Sequence, residues 1–283
     1  MNETTQRQNK GNVLLGLLIC GLIIFFLGSS ITMLIASIPF KVVTHYDSET
    51  ISEALVVFSN YFSEEVRSDG IIWKEYAQTY FSADPTLFDN ICSLFCAVQL
   101  VSYMPLALVF FYFLRKDFVK DFKAFIKNIK KNVLVILSSF AAMSLLASVV
   151  AVIYILLGIN GQSSNENIIN LLLASPGKWL MIISVVCFAP IIEEILFRKL
   201  FIDTLEIKFN LKPAIAIIIS CILFAFIHVT DLQSIIFIFQ YIAIALPICI
   251  AYHYSDNNIF VVSIIHIANN LLSVITTTAI LLH

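Results

Sequence analysis

Residues 13–39 read VLLGLLICGLIIFFLGSSITMLIASIP and contain no charged side chain. About 20 consecutive apolar residues are enough for a helix to cross the hydrocarbon core of a bilayer. A polar segment precedes this run and no clear small-residue cleavage site follows, so we interpret it as a membrane anchor and not as a signal peptide. This stretch indicates a protein that is integral to a membrane.

The composition of the whole chain has the same apolar character. Its 283 residues are 59% hydrophobic and 13% charged, with a mean hydropathy of +0.92, whereas soluble domains are about 25% charged. The net charge of −2 gives no basic excess for binding nucleic acid. Six cysteines form no CxxC pair and lie in or beside apolar runs, so we predict neither disulfides nor a thiol site. The expected environment is the lipid bilayer.

The apolar runs predict an all-α polytopic membrane protein with about seven transmembrane helices, or eight if residues 168–175 re-enter the membrane. A polar segment, 41–86, follows the first run. A basic segment, 115–132, follows the second, and its apolar residues recur every three or four positions, as in a helix lying on anionic lipid. The predicted spans are about 13–39, 88–114, 133–157, 179–201, 213–229, 232–252 and 258–282.

The distribution of Lys and Arg predicts the orientation. With the N-terminus inside, thirteen of the seventeen Lys and Arg lie in inside segments, as the positive-inside rule requires. We therefore expect a cytoplasmic N-terminus in a bacterial plasma membrane, with segment 41–86 outside and segment 115–132 inside. We divide the chain into an N-terminal membrane region, residues 1–170, and a C-terminal membrane domain, residues 171–283, which carries the residues described next.

Ionisable side chains in the C-terminal spans point to a function, because a charge in hydrocarbon costs about 2.5–3.5 kcal/mol on insertion scales. Glu194 and Arg198 are four residues apart and can pair on one helix face. Glu193 points about 100° away and has no obvious partner on its own helix. We predict one structural carboxylate held by arginine and one carboxylate that faces a cavity.

Two later spans carry further polar groups. Phe224 and His228 share one helix face, as do His266 and Asn270. At 1.5 Å per residue from the connecting turn, regular helices would bring Glu193 and His228 level. A carboxylate beside an imidazole can deprotonate a water, and a second imidazole and an amide can stabilise an oxyanion. These residues predict a site for hydrolysis of a peptide bond.

Each of these residues also has a plainer interpretation. A lone membrane histidine more often joins helices by a hydrogen bond, a Glu–Arg pair is usually structural, and Phe224 alone is a packing residue. The coincidence of three groups in order and at compatible depth favours a site. Two other functions stay open: a non-proteolytic membrane scaffold that binds a partner membrane protein, and a transporter, against which the lack of an inverted repeat counts.

The three groups resemble the EExxxR, FxxxH and HxxxN motifs of the CAAX-protease and bacteriocin-processing family, also called the Abi family. The motifs are complete and in order, and the resemblance covers about residues 175–280. It implies an all-helical intramembrane endopeptidase with a site open to the cytosol. The matching residues are Glu193, Glu194 and Arg198, then Phe224 and His228, then His266 and Asn270.

The resemblance also implies a role for each residue. Glu193 and His228 would activate the water. His266 and Asn270 would stabilise the oxyanion. The supporting residues would be Glu194, Arg198 and Phe224.

Cofactor and substrate are less defined by the motifs. Relatives are often called metalloproteases, so a divalent metal such as zinc near Glu193, His228 and His266 stays open. The chain has no HExxH motif, which favours a glutamate mechanism without metal. The expected partner is a membrane-associated protein or peptide, in CAAX-type processing or in bacteriocin maturation and self-immunity.

Overall fold

The computed structural model describes residues 3–229 and 231–281, so the last residue of the predicted seventh span, 282, lies outside the described part. Within it the regular structure is helical, apart from one isolated antiparallel bridge between Val66 and Ile72. This confirms the predicted all-α class. The helices are α1 (Glu3–Thr44), α2 (Ser48–Ser59), α3 (Trp73–Ala83), α4 (Pro85–Lys127), α5 (Ile129–Leu156), α6 (Ser164–Ala174), α7 (Lys178–Ile207), α8 (Pro213–Ile227), α9 (Ile238–Tyr254, preceded by the 3₁₀ turn Gln233–Phe237) and α10 (Ile259–Leu281).

Six helices of the described chain are long and apolar enough to cross a membrane: α1, α4, α5, α7, α9 with its 3₁₀ turn, and α10. The predicted count of seven or eight is therefore too high. The predicted fifth span, 213–229, is α8, which has 15 residues and falls short of the usual membrane-crossing length. Most of the predicted re-entrant piece, 168–175, belongs to the short helix α6. The chain is a polytopic integral membrane protein.

The basic segment 115–132 does not form a separate helix on the membrane surface, which corrects the prediction. α4 continues from its apolar part to Lys127 as one helix of 43 residues, because residues 106–127 contain no proline or glycine. Its inner face is held by a buried ion pair, in which Asp121 Oδ2 lies 2.9 Å from Lys199 Nζ of α7. This pair attaches the end of α4 to the residue that follows Arg198.

The helix α7 is not the regular helix that the depth estimate assumed. The π-helical segments Ser184–Phe188 and Ile195–Ile202 flank one short α-helical segment, Ala189–Glu194. Pro190 lies in the first turn of that segment and has no backbone N–H to donate. Such π segments often occur at functional sites. The two candidate glutamates end the α-helical segment, so the helix type changes between them and Arg198.

α7 is the most enclosed of the six long helices. In the most apolar part of α7, 67% of the residues are buried inside the protein, whereas the corresponding share is 6% for α5. The main hydrophobic cluster surrounds α7 with side chains from both predicted regions of the chain, such as Phe110 of α4, Leu196 of α7, Ile248 of α9 and Val262 of α10. Glu193, Glu194 and Arg198 of α7 are buried and therefore face protein and not lipid, which lowers the cost of keeping them.

The polar segment 41–86 contributes α2 and α3, which cover one end of the bundle. Aromatic rings attach this cover to α4, and the centroids of Phe58 of α2 and Phe95 of α4 lie 4.4 Å apart. Phe58 belongs to a hydrophobic cluster that also includes Val185 of α7 and Val274 of α10. The cover thus shares a hydrophobic cluster with the two helices that carry three of the predicted motif glutamates and histidines.

Candidate active site

Three helices supply the predicted site residues. α7 carries the two glutamates and the arginine, the C-terminal end of α8 carries the phenylalanine and one histidine, and α10 carries the other histidine and the asparagine. Because α8 and α10 both pack against α7, residues far apart in the sequence meet beside it. The residues in question are Glu193, Glu194, Arg198, Phe224, His228, His266 and Asn270.

Arg198 and Glu194 form a fully buried ion pair, as their spacing led us to expect. Arg198 Nε lies 3.1 Å from Glu194 Oε2, and both side chains are 0% exposed. The contact has the distance of an ion pair without the angle of a hydrogen bond, so the guanidinium nitrogens have no hydrogen-bond acceptor among the described residues. The ring of Phe224 lies against the cation, with its centroid 4.6 Å from Arg198 Cζ, an arrangement that stabilises a desolvated guanidinium.

His266 lies between the two glutamates. Its Nδ1 is 2.8 Å from Glu194 Oε1, and its Nε2 is 3.9 Å from Glu193 Oε2. The oxygens of a carboxylate that pairs with a guanidinium are acceptors, so Nδ1 of His266 is the donor in its bond to Glu194. Arg198, Glu194 and His266 therefore form a buried series that fixes one imidazole beside Glu193.

Sequence reasoning missed the link from Glu194 to His266, because it assigned Glu194 only its partner on the same helix. A carboxylate accepts through two oxygens. The second oxygen of Glu194, which does not pair with Arg198, indicated that another helix had to supply a hydrogen-bond donor. His266 is the buried donor that supplies it, with 4% of the residue exposed.

His228 caps the C-terminal end of α8. Its Nδ1 lies 2.8 Å from the backbone oxygen of Phe224. A carbonyl oxygen only accepts, so Nδ1 carries hydrogen and Nε2 of the neutral ring is left as a proton acceptor. No hydrogen bond or ion pair joins His228 to Glu193 within residues 3–229. The two histidines are connected through Phe224, whose ring centroid lies 4.5 Å from that of His228 and 5.9 Å from that of His266.

Asn270 joins α10 to the first π segment of α7. Its Nδ2 donates to the backbone oxygen of Val185 at 2.8 Å, and its Oδ1 accepts from Nδ2 of Asn269 at 3.2 Å. An amide nitrogen carries two hydrogens, so one bond to Val185 does not exhaust its capacity to donate. Asn270 and His228 are half-buried, whereas Glu193, Glu194 and His266 are buried. The site is therefore most accessible on the side of Asn270 and His228.

The residues named as candidate metal ligands do not fit a metal site in this arrangement. In residues 3–229 and 231–281, no group of three or more His, Cys, Asp or Glu is placed to hold a metal ion. Nδ1 of His266 is engaged by Glu194 and Nδ1 of His228 by the carbonyl of Phe224, and the Nε2 atoms of the two rings are not gathered with a third ligand among the described residues. No step proposed below is routed through a metal.

Two tyrosines that sequence reasoning missed also approach the site. Tyr241 of α9 stacks on His228, with ring centroids 4.9 Å apart. Tyr103 of α4 accepts a hydrogen bond from Gln99 Nε2 at 3.1 Å and lies near enough to Glu193 for an electrostatic interaction. The signal in the sequence was that polar side chains within spans need partners inside the protein.

The buried pair gives a first prediction. Replacing Arg198 with Met leaves Glu194 as an uncompensated buried charge, so we expect a loss of about 3–5 kcal/mol in the free energy of unfolding. The measurement is folded yield and denaturant unfolding in detergent. The control is Arg115→Met, at an exposed arginine of α4, which we expect to change stability by less than about 0.5 kcal/mol. Equal stability of the Arg198→Met variant and the wild type would contradict a structural role for the pair.

Comparison with known proteins agrees with the motifs. Residues 175–272 match the family model of type II CAAX prenyl endopeptidases that are Rce1-like. The match covers about a third of the chain and contains all the motif residues. No curated protein and no solved structure matches the chain. The resemblance inferred from the motifs is confirmed, and the chain carries an Rce1-like domain of the type II CAAX prenyl endopeptidase family, a family of peptidases.

Proposed function

We propose that the protein is an intramembrane endopeptidase that hydrolyses a peptide bond in a membrane-associated protein or peptide, using a water activated by Glu193 and His228. One observation carries the proposal: Glu193 is buried 3.9 Å from an imidazole that the Arg198–Glu194 pair holds in place. The substrate is either a protein ending in a prenylated CAAX sequence, as the family name describes, or a peptide of bacteriocin maturation and self-immunity.

Glu193 is the carboxylate available for proton transfer. Both oxygens of Glu194 are engaged, one by Arg198 and one by His266. The separation of Glu193 Oε2 from His266 Nε2 exceeds hydrogen-bond length and can be bridged by a water or by a substrate oxygen. In the proposed reaction the water oxygen attacks the scissile carbonyl carbon while Glu193 takes one of its protons.

His228 is the second proton carrier. The carbonyl of Phe224 holds hydrogen on Nδ1, which leaves Nε2 to accept a proton from the water. When the carbon–nitrogen bond breaks, His228 and Glu193 each pass to the leaving nitrogen the proton that they took from the water, so the products are a carboxylate and an ammonium terminus. A positioned acid or base of this kind contributes about 10²–10⁴-fold to a rate.

Asn270 and His266 are the proposed oxyanion donors. The half-buried amide of Asn270 retains a donor hydrogen beyond its bond to Val185. His266 donates through Nδ1 to Glu194, and it donates through Nε2 as well when the ring is doubly protonated. Donors fixed before the reaction stabilise the tetrahedral intermediate without reorganising.

The proposed setting is a bacterial plasma membrane with the N-terminus in the cytoplasm. The support is the excess of Lys and Arg in the segments assigned to the inside. In this orientation α2 and α3 cover the outer end of the bundle, and substrates reach the site from the cytosolic side or laterally from the bilayer.

Glu193→Gln tests the proposed function, because glutamine keeps the size of the side chain and removes its basicity. The measurement is quantitative mass spectrometry of peptide termini in membranes of cells that express each protein at the same level. We expect a set of new termini with the wild type and none of them with Glu193→Gln or His228→Ala. Glu75→Gln, at an exposed glutamate of α3, is the matched control and should give the wild-type set.

The termini also identify the substrate class. Cleavage after the cysteine of a C-terminal CAAX sequence would indicate a prenylated protein, and cleavage within a short secreted peptide would indicate a bacteriocin precursor. Identical termini in wild type and Glu193→Gln would contradict the enzyme and favour the membrane scaffold.

Asn270 offers a second test with a control on the same helix. Asn270→Ala should lower kcat by about 10²–10³-fold, which is the usual effect of removing one oxyanion donor. Ser273→Ala, at an exposed residue of α10, is the control and should change kcat far less. Equal kcat for wild type and Asn270→Ala would exclude the amide as an oxyanion donor.

A further inference from the structure

We propose that Tyr241 is a positioning residue for His228, and that Ser163 at the start of α6 holds Tyr241 in place. The proposal deepens the proposed function, since it rests on the role given there to His228. It also assigns to the N-terminal region, outside the segment that matches the family model, a direct part in arranging the site.

Two aromatic rings contact the imidazole of His228. The centroid of Phe224 lies 4.5 Å away with an interplanar angle of 37°, and that of Tyr241 lies 4.9 Å away with an angle of 30°. Both rings are inclined to the imidazole plane by less than 40°. The backbone bond from Nδ1 to Phe224 fixes the ring at one edge, and the stacking fixes its plane.

Tyr241 is itself held at its hydroxyl end. Its oxygen lies 2.5 Å from Oγ of Ser163, and Ser163 is 0% exposed. Ser163 is the N-cap of α6, and its Oγ accepts from the backbone N–H of Glu166 at 3.2 Å. An N-cap side chain is ordered by the helix that it caps. The stacked ring is therefore tied to a helix end and not to a mobile side chain.

The same helix end also holds the chain that follows His228. The backbone N–H of Ser164 donates to Oγ of Ser234 at 2.9 Å, and the backbone N–H of Ser234 donates to Oδ1 of Asp231 at 2.8 Å. Ser234 is buried. Ser163 and Ser164 thus bind the stacking ring and the loop that leaves His228, so one helix end constrains both the ring and the backbone of the histidine.

This arrangement has a chemical consequence. A general base works only within hydrogen-bond reach of the proton that it takes, and a misplacement of about 1 Å can cost about 10²-fold in rate. His228 is half-buried at the end of a short helix, where its own helix supplies a single hydrogen bond to the ring. Tyr241 supplies the constraint that the short helix lacks.

The test compares Tyr241→Leu, Tyr241→Phe and Ser163→Ala in the full-length protein reconstituted in liposomes. The probe is a peptide that spans a cleavage site found only with the wild type. Tyr241→Leu removes the aromatic face, so we expect kcat to fall by about 10²-fold with a smaller change in KM. Tyr241→Phe keeps the ring and loses the hydroxyl, so kcat should fall far less than in Tyr241→Leu. The control on the same helix is Tyr254→Leu, at an exposed tyrosine, which should behave as the wild type.

The link through Ser163 is tested by combining variants. Tyr241→Phe removes the hydrogen bond to Ser163 and should lower kcat by about fivefold. Ser163→Ala removes that bond and the cap on Glu166 as well, so it should lower kcat at least as much. The double variant should then lose no more than Ser163→Ala alone. Losses that multiply in the double variant would show that Ser163 does not act through Tyr241.

A second readout needs no substrate and separates this proposal from the proposed function. ¹⁵N signals of labelled histidine, assigned to His228 by comparison with His228→Gln, report the tautomer and the order of the ring. We expect one Nδ1–H form in wild type and Tyr241→Phe, and an averaged signal in Tyr241→Leu. An unchanged signal in Tyr241→Leu would overturn the positioning role, whereas full cleavage by His228→Ala would overturn only the proposed catalytic role of His228.

Discussion

The buried ion pair between Arg198 and Glu194 is the interaction on which the site depends. Two charges withdrawn from water cost several kcal/mol each, and a pair repays this only with good geometry and further bonds. His266 supplies one further bond, to the second oxygen of Glu194, and the ring of Phe224 lies against the guanidinium. Because Glu194 is engaged on both sides, Glu193 is the acidic group that we propose acts on a water, which gives the adjacent glutamates two distinct proposed roles.

The rest of the chain shields this pair from water and fixes the positions of its two side chains. α7 changes to a π-helix directly after Glu194, which sets the direction of Arg198. The next residue, Lys199, is held by Asp121 of α4, and Ser163 of α6 reaches His228 through Tyr241. Asp121 and Ser163 lie outside the segment that matches the family model. The motif residues are therefore also held by the N-terminal part of the chain, in which α2 and α3 cover one end of the bundle.

The sequence predicted contacts within one helix, but it did not predict the individual hydrogen bonds and ring contacts between helices. Apolar runs located the spans, and a spacing of four residues located the Glu194–Arg198 pair. Periodicity carries no information on contacts between helices, so the bond from His266 to Glu194 and the stacking of Tyr241 on His228 were missed. The basic segment after residue 114 was separated from its span because of its polarity alone. It contains no proline or glycine that would end the helix, and its residue Asp121 has a buried partner. α8 was counted as a span because of its hydropathy. It ends just before His228 and is therefore too short to cross the bilayer.

The central claim is that the two glutamates differ in role, and one comparison tests it directly: cleavage and unfolding measured side by side for Glu193→Gln and Glu194→Gln. The account predicts that Glu193→Gln unfolds like the wild type but does not cleave. It predicts that Glu194→Gln loses stability as well as activity, because Arg198 and His266 lose their shared partner. A stable, active Glu194→Gln variant, or an active Glu193→Gln variant, would contradict the account.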